Sequence, residues 1–424
     1  MAATIAPDRQ RTDEVHALLD RWVRGRGPAY DSVVIVGGQG ITSLTFAARL
    51  ARDPSLAGKV VLAGRAKEED RRLIGGVSLR ARAADFLAEA IGATHTELID
   101  RIANGQPTAA STRQMAAMAE PSADGWVFSR AGAWQNHRRN GTKPIMYGFR
   151  NARMAVAIRE AIEPGAVRFV DDRPTSLAEA RDLALGRNPL IVNASNDDQL
   201  LGNEPGSHRW GIVAAQVPFS GRPGGPLEER TTFAPLVRRD GTIDVGYYTP
   251  FTDHLSPDAS WYGIIARPVR AEELTGAAAE RQKAAVTDEL LGIGEACGLT
   301  PVDPADTLAA AAVPGADWTR PAAPRVPGTF ELKQACSAGV PAYYADGILC
   351  GAMGGVAAAE AVLRGADPTA SATAAIAKIR FWNRLWWLET TRLAPVADRL
   401  MRTSVTAAMA YPHSATSRWW ASAA

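Results

Sequence analysis

The sequence has little cysteine and no metal-binding arrangement of it. Its three cysteines, Cys297, Cys336 and Cys350, are far apart in a chain of 424 residues and form no CxxC pair. An odd, widely spaced set indicates neither a disulfide framework nor a zinc site, and free thiols are typical of a reducing compartment. We therefore expect a cytoplasmic protein without a bound metal ion.

An excess of charge of one sign is also lacking. Lysine and arginine number 47 against 45 aspartates and glutamates, which gives a formal net charge of +2. This balance offers no electrostatic reason to expect nucleic acid or an anionic membrane as a partner. Residues 1–27 carry charges throughout and contain no continuous apolar run, so we expect neither a signal peptide nor an integral membrane segment there.

Two common catalytic signatures are missing as well. The chain has neither a GxSxG elbow with its triad partners nor a GxxxxGKS/T loop, so serine hydrolases and P-loop proteins are set aside. The composition is globular, with 46% hydrophobic and 22% charged residues, in a chain too long for one ordinary core. We expect two intertwined domains, or one large domain that carries a lobe.

A glycine turn after an apolar strand pattern is the first chemical signal. Residues 33–36 precede the sequence GGQGITS, which leads into a helical stretch, and a second strand pattern spans residues 59–65. Gly38, Gly40 and Ser43 form GxGxxS, an arrangement that lets the backbone approach a pyrophosphate at the N-terminus of a helix. The pattern predicts a dinucleotide site; the alternative is a structural turn.

The carboxylate that usually binds the adenosine ribose is absent from its expected position. It should end the second strand, where this chain has Gly64 and Arg65, and the acidic residues Glu68, Glu69 and Asp70 come only a turn later. Arg65 could face a 2′-phosphate, which would favour NADP, stack on adenine, face the pyrophosphate, or be an ordinary solvated arginine. The sequence leaves these alternatives open.

A second glycine-rich turn lies near the C-terminus. It consists of Ala345, Asp346 and Gly347, followed by Gly351, Met353, Gly354 and Gly355 and then an alanine-rich helix. This turn would bring a carboxylate and a second helix N-terminus to the same ligand, which a simple nicotinamide dehydrogenase does not need. The alternative is a surface turn with a core helix behind it.

Three separated blocks, GGQGITS, LIVNAS and YADGILCGAMGG, together resemble the glutathione-reductase-like flavoproteins. That group contains aromatic hydroxylases, geranylgeranyl reductases and flavin-dependent halogenases. The resemblance implies FAD as cofactor, Ala194 of the second block at the cofactor site, and Asp346 as the ribityl-binding aspartate, with Ala345 replacing a glycine. Ser195 and Asn196 replace the Asp-Gly pair that single-component hydroxylases use in flavin and nicotinamide binding, so the resemblance does not imply direct reduction of that type. NADH, NADPH or a partner flavin reductase are the candidate electron donors. No WxWxIP halogenase motif occurs, so chlorination is not expected.

The predicted fold class is α/β, a Rossmann-like FAD-binding domain with an inserted, mainly antiparallel sheet lobe for the substrate and a C-terminal helical segment. Four alternating segments between residues 210 and 269 predict the strands of the lobe. The predicted divisions are an N-terminal extension (1–30), a discontinuous FAD-binding domain (31–205 and 325–370), a substrate domain (206–324) and the helical segment (371–424). Residues 111–126 carry few periodic signals and are expected to be surface structure.

Aromatic and titratable residues of the lobe are the candidates for substrate contact. Tyr247, Tyr248, Phe251, Trp261 and Tyr262 could form an apolar slot with phenolic hydroxyls over the flavin, or ordinary core. The catalytic candidates are His254, as general acid or base near neutral pH, Tyr248 and Arg267.

The function predicted from these residues is FAD-dependent oxidation, most specifically a monooxygenase acting on a small apolar or aromatic organic substrate. A flavin-dependent dehydrogenase, reductase or cyclase of an isoprenoid-like substrate is one alternative. A catalytically degenerate nucleotide-binding protein is another, because Gly64, Ser195 and Asn196 all depart from the usual motifs.

Overall fold

The computed structural model describes most of the chain between residues 29 and 379. The described ranges are 29–66, 78–133, 144–195, 198–201, 210–224, 231–239, 242–253, 255–302, 309–314, 326–337, 347–377 and 379. Most of the N-terminal extension and most of the C-terminal helical segment therefore lie outside the described residues. Among the helices within these ranges, none combines the length and apolarity that crossing a membrane requires.

Within the described ranges the chain forms sixteen strands and nine α-helices, which are numbered in chain order. The strands are β1 Ser32–Val36, β2 Val60–Ala63, β3 Ser78–Arg80, β4 Ala110–Ser111, β5 Arg113–Ser122, β6 Gly125–Ala133, β7 Met146–Gly148, β8 Val167–Val170, β9 Pro189–Asn193, β10 Trp210–Ser220, β11 Thr231–Arg239, β12 Thr242–Pro250, β13 Trp261–Arg270, β14 Thr300–Pro301, β15 Ala309–Pro314 and β16 Thr329–Glu331. The helices are α1 Ile41–Ala51, α2 Ala81–Ile91, α3 His95–Ala103, α4 Asn151–Glu160, α5 Leu177–Asp182, α6 Gly276–Ala296, α7 Leu332–Ser337, α8 Gly347–Leu363 and α9 Pro368–Ala375.

A five-stranded parallel sheet forms the first half of the fold, in the order β16-β9-β1-β2-β8. Its central strand β1 is buried along its whole length, as expected for a strand covered by helices on both faces. The order reverses at β1, so the chain enters β2 on one side and β9 on the other. Ligands of open α/β sheets bind at the carboxyl ends of the strands at such a reversal. The prediction of an α/β fold built on a parallel sheet is confirmed.

A second sheet has eight strands, in the order β14-β10-β13-β12-β11-β5-β6, and β15 pairs with the same strand β10 as β14. All its pairings are antiparallel except that of β11 with β5. Helix α6 covers one face, where Phe219, Tyr248 and Ile265 of the sheet pack with Val286 and Leu290 of the helix. Successive side chains of a strand point to opposite faces, so the neighbouring residues face the parallel sheet and its helices.

Residues 111–126, which were expected to be surface structure, lie mostly in the hairpin of β5 and β6, and residues 120–125 are exposed. These strands join the edge of the second sheet, where β5 pairs in parallel with β11 from far along the chain. The segment from Arg113 to Ser122 is rich in alanine and methionine, which have little strand propensity of their own. Its pairing with distant β11 determines the strand, and local sequence carries no signal of that pairing.

The two sheets are joined through a small third sheet and a buried ion pair. Strands β3, β7 and β4 form this third sheet beside β12. The guanidinium of Arg150, at the start of α4, donates two hydrogen bonds of 2.5 Å to the carboxylate of Asp253, which follows β12. The hydroxyl of Thr252 donates to the Pro107 carbonyl at 2.9 Å. These contacts hold one face of the second sheet against the half that contains the parallel sheet.

Candidate functional site

The carboxyl ends of β1, β2 and β9 meet at one glycine turn. The amide of Gly37 donates to the carbonyl of Ala63 at 2.9 Å, and the amide of Gln39 donates to the carbonyl of Arg65 at 3.1 Å. On the other side, the amide of Ala194 donates to the Val36 carbonyl at 2.8 Å. The loop before α1 is thus fixed by both neighbouring strands, at the point where the strand order reverses.

Two glycines make this close approach possible. A Cβ on Gly37 would lie 2.7 Å from the carbonyl carbon of Ala194, and a Cβ on Gly64 would lie 2.1 Å from the carbonyl oxygen of Gly37. Both residues also have positive φ angles, 155° and 144°, which other residues rarely adopt. The turn therefore requires glycine at both positions.

The next two glycines face open space. A Cβ on Gly38 would meet nothing closer than the Arg65 carbonyl at 3.8 Å, and one on Gly40 nothing closer than the Gly38 carbonyl at 4.0 Å. The buried hydroxyl of Ser43 lies near the carbonyls of Gly38 (2.7 Å) and Gly40 (2.9 Å), within donating distance of each. Ser43 thus closes the loop from behind and leaves its front free for a ligand.

Helix α8 lies directly beside α1 and runs in the same direction. One turn into α8, a Cβ on Gly351 would lie 2.2 Å from the hydroxyl oxygen of Thr42, in the first turn of α1. Further along, the Arg49 guanidinium of α1 forms an ion pair with the Glu360 carboxylate of α8. Both helices therefore begin at the same end of the pair. Their N-termini, which carry partial positive charge, open onto the same edge of the parallel sheet.

The remaining predicted cofactor residues have different surroundings. Gly347 is the first residue of α8, and a Cβ there would have no atom within 4 Å. Arg65 is exposed, and Ala194 contacts Gly37 through its backbone. Gly354 and Gly355 lie two turns inside α8, where a Cβ on Gly354 would come within 2.6 Å of the Cys336 sulfur. This placement favours helix packing for both.

Asp346, the ribityl-binding candidate, lies outside the described residues, as does Ala345.

The sequence analysis assigned no role to Gly37 or Gln39, and it placed Gly351 in the second glycine turn without its contact with Thr42. Gly64 was read as the lack of a carboxylate, whereas its backbone packs against Gly37. Gln39 is 1% exposed and its side-chain amide donates to the Gly64 carbonyl at 3.1 Å. A glycine at the end of the second strand, together with three glycines after the first, was the available signal for a close crossing of the two.

The face of the second sheet that is turned away from α6 buries polar atoms without partners. They are the hydroxyl oxygens of Tyr247 and Tyr262, the side-chain carbonyl oxygen of Gln216 and, on β3, the hydroxyl oxygen of Ser78, none of which has a hydrogen-bond partner among the described residues. Gln216 pairs with Ile264, which pairs with Tyr247, so these side chains form a row across three strands. The rings of Tyr247 and Tyr262 lie 6.5 Å apart.

Both tyrosines stay neutral at ordinary pH. Burial raises the pKa of Tyr247 to about 12, against smaller lowering effects of the nearby Ser78 hydroxyl and Arg80 guanidinium. Burial also raises the pKa of Tyr262 well above its usual value. Each side chain is therefore a hydrogen-bond donor with no acceptor in the described structure. Strand β3, which carries Ser78 and Arg80, also contacts α8, so this face lies close to the paired helices.

Two of the predicted catalytic residues lie on the opposite face, under α6. The hydroxyl of Tyr248 is fully buried and donates to the Leu290 carbonyl at 2.5 Å. Arg267 donates to the Asp244 carboxylate at 2.9 Å and to Glu289 at 2.7 Å. The expectation that all five aromatic residues of the lobe share one face of the sheet is therefore wrong, because Tyr248 and Trp261 pack under α6. The third residue, His254, lies outside the described residues.

The polar cluster under α6 perturbs one carboxyl group strongly. Burial and the neighbouring Asp244 carboxylate raise the pKa of Glu289 to about 8, although the Arg267 guanidinium acts in the lowering direction. The carboxyl group of Glu289 is entirely inaccessible to solvent. This arrangement links the sheet to α6 and faces away from the glycine turn.

The chain is similar in structure to solved enzymes of three kinds. The myxobacterial chondrochloren halogenase CndH, a variant of FAD-dependent halogenases, has 15% sequence identity and a TM-score of 0.53, over 83% of this chain and 79% of its own. A geranylgeranyl bacteriochlorophyll reductase-like protein from Thermoplasma acidophilum has 11% identity and a TM-score of 0.53, covering 90% of this chain and 91% of its own. The enzyme 2-methyl-3-hydroxypyridine-5-carboxylic acid oxygenase has 14% identity and a TM-score of 0.51, covering 91% of this chain and 95% of its own.

No protein-family model and no curated protein sequence matches the chain. At such low identity the structural similarity establishes the fold alone. It agrees with the resemblance to halogenases, reductases and hydroxylases that the three sequence blocks indicated, and that prediction is confirmed at the level of the fold.

Proposed function

We propose that this protein is an FAD-dependent oxidoreductase, and more specifically a monooxygenase of a small organic substrate. The observation that carries the proposal is the parallel pair of helices, with Thr42 of α1 against Gly351 of α8. Because two helix N-termini open onto one sheet edge, one ligand could present negative charge to both. A dinucleotide that carries a pyrophosphate and a ring system that gains negative charge on reduction has this character.

The residues at the glycine turn are suited to hold such a group. Gly38 and Gly40 leave open the space that side chains would fill, so a pyrophosphate could approach the backbone at the start of α1. Gly347 leaves similar space at the start of α8, the end we assign to the ribityl and ring portion. Bound there, the flavin would supply hydride acceptance and oxygen activation.

We assign substrate binding to the face that carries Tyr247, Tyr262 and Gln216. This face is largely apolar, with Phe251, Tyr262 and Ala259 forming its buried cluster. Its phenolic hydroxyls would donate to an oxygen of the substrate and orient it, while the surrounding packing excludes water from the reacting atoms. The resemblance to an oxygenase supports the monooxygenase assignment, and the halogenase and reductase neighbours share the same fold.

The electron donor is proposed to be either a nicotinamide nucleotide or a partner flavin reductase. After β9, the Asn193 side chain accepts hydrogen bonds from the amide (3.0 Å) and the hydroxyl (2.7 Å) of Ser195. This closed turn occupies the position at which the resembling hydroxylases carry an Asp-Gly pair. Anaerobic titration of the FAD-loaded protein with NADH and NADPH distinguishes the two donors, because a protein served by a reductase should not be reduced directly.

Oxygen consumption and product mass test the reaction class. The FAD-loaded protein, reduced photochemically, is mixed with oxygenated buffer containing a phenol, an indole or an isoprenoid alcohol. A monooxygenase yields a product with one added oxygen atom. Turnover that proceeds without oxygen would instead assign the protein to the reductases or cyclases, and a colourless protein that does not bind added FAD would refute the flavin assignment itself.

A further inference from the structure

The end of β2 cannot carry the side chain that usually binds a dinucleotide ribose. In Rossmann folds an acidic residue near the end of the second strand accepts hydrogen bonds from the adenosine ribose. Here Gly64 occupies this position with φ at 144°, and any Cβ on it would lie 2.1 Å from the Gly37 carbonyl oxygen. A carboxylate is therefore excluded by the backbone itself.

The side chain of Gln39 fills this place from the glycine turn. Its amide nitrogen Nε2 donates to the Gly64 carbonyl at 3.1 Å, and the residue is 1% exposed. The other end of the amide, Oε1, is buried and has no hydrogen-bond partner within the described part of the chain. Since only the NH₂ group can donate to a carbonyl, the contact with Gly64 determines which end of the amide is left unpaired.

An unpaired buried acceptor is costly unless a ligand supplies the donor. We propose that Gln39 is the ribose-binding residue, with its Oε1 accepting a hydrogen bond from a hydroxyl of the adenosine ribose of FAD. This inference rests on the proposed flavin function. Arg65 is a weaker candidate, because its side chain is exposed and only its backbone takes part in the turn.

The identity of residue 39 follows from Gly64. A glutamate at position 39 would direct a carboxylate oxygen at the Gly64 carbonyl, whereas an amide can donate to that carbonyl and accept from the ribose at the same time. The glutamine and the glycine thus form a matched pair that replaces the usual carboxylate with a neutral acceptor.

The test is a binding cycle between a protein variant and a modified cofactor. Wild type and Gln39→Leu are titrated with FAD and with FAD analogues that carry 2′-deoxyadenosine or 3′-deoxyadenosine, and binding is followed by flavin fluorescence. We expect one analogue to bind wild type about fivefold to tenfold more weakly than FAD, the loss of one neutral hydrogen bond. Gln39→Leu should lose a similar factor with FAD, and no further affinity with that analogue.

Gln106→Leu is the matched control, because Gln106 is an exposed glutamine remote from the turn, and it should bind all three cofactors as wild type does. The inference is overturned if wild type binds both analogues as tightly as FAD, or if the losses from variant and analogue multiply. The wild-type comparison stands even if Gln39→Leu does not fold. If wild type binds no FAD at all, the proposed function fails and this inference fails with it.

Discussion

The two faces of the eight-stranded sheet bury their polar groups in different ways. On the face under α6, Arg267 binds the carboxylate of Asp244 and the carboxyl group of Glu289, and the Tyr248 hydroxyl donates to the Leu290 carbonyl. These groups bind each other or the helix backbone. The face is in this respect like an ordinary protein interior, where buried polar atoms have partners.

On the opposite face, the buried oxygens of Tyr247, Tyr262 and Gln216 have no partner in the described structure. Each unpaired buried group costs roughly 1–3 kcal/mol of stability. Stability alone does not explain three of them on one surface beside the nucleotide-binding half. The difference between the faces indicates that one serves folding and the other serves a ligand.

The largest expected effect is on the face under α6. Replacing Arg267 by methionine leaves Asp244 and Glu289 buried without their cation, so Arg267→Met should lower the free energy of unfolding by about 3–5 kcal/mol. Urea unfolding measures the loss. The matched change Arg270→Met, at a residue whose side chain is 66% exposed, should stay within about 0.5 kcal/mol. Equal losses of unfolding free energy in the two variants would show that the Arg267 cluster does not stabilise the fold.

The pH dependence of stability should sharpen the same point. The pKa of Glu289 is about 8 in the folded chain against an ordinary value of 4.5, so the folded state holds this proton more tightly. The resulting stabilisation is complete below about pH 4.5 and is lost as pH rises through 8. Unfolding free energies measured across this range should fall in wild type, and this component should vanish in Glu289→Gln. A component of the same size in the variant would contradict the assignment.

Neighbouring tyrosines on the same strand provide the sharpest comparison of the two faces. Tyr248→Phe removes the hydrogen bond from the hydroxyl to the Leu290 carbonyl and should cost about 1 kcal/mol of stability, with no effect on substrate affinity. Tyr247→Phe removes an unpaired buried hydroxyl, so stability should be unchanged or slightly higher, while substrate binding weakens about fivefold. Urea unfolding and substrate binding, measured on both variants, distinguish the two roles. The opposite pattern would exchange the roles of the faces.

The smallest effect is expected from Tyr262→Phe in the absence of substrate. Its unpaired hydroxyl makes no hydrogen bond that could be lost, so the melting temperature should not fall, and a clear fall would reveal a partner inside the protein.

The sequence predicted the four main lobe strands almost to the residue, because their alternation of apolar and polar positions is strong and glycine, proline and aspartate turns separate them. It could not tell which face of β12 meets α6. Tyr247 and Tyr248 must point to opposite sides, but only the packing of α6 assigns Tyr248 to the interior. The β5 and β6 hairpin was missed because its pairing with β11 is distant in sequence.

At the cofactor site the sequence located both glycine turns, and the structure brought their helices together. The contact between Thr42 and Gly351 depends on tertiary packing, so no local pattern could reveal it. The sequence alone could not predict that Gln39 and Gly64 together take the place of the usual carboxylate at the end of β2, because this also depends on tertiary packing. The sequence shows which residue is absent, and only the fold shows which side chain occupies its place.

Titration of the cofactor-free protein with FAD and with FMN, followed by flavin fluorescence, tests most directly whether α1 and α8 open onto one dinucleotide. We predict one FAD bound per chain, at least about tenfold tighter than FMN, since FMN lacks the adenosine portion and one of the two phosphates that would approach the start of α1. Gly351→Val, which forces the helices apart, should weaken FAD binding, whereas Gly224→Ala, at a glycine with open space around it, should not. No FAD binding, or equal affinity for FMN, would contradict the account.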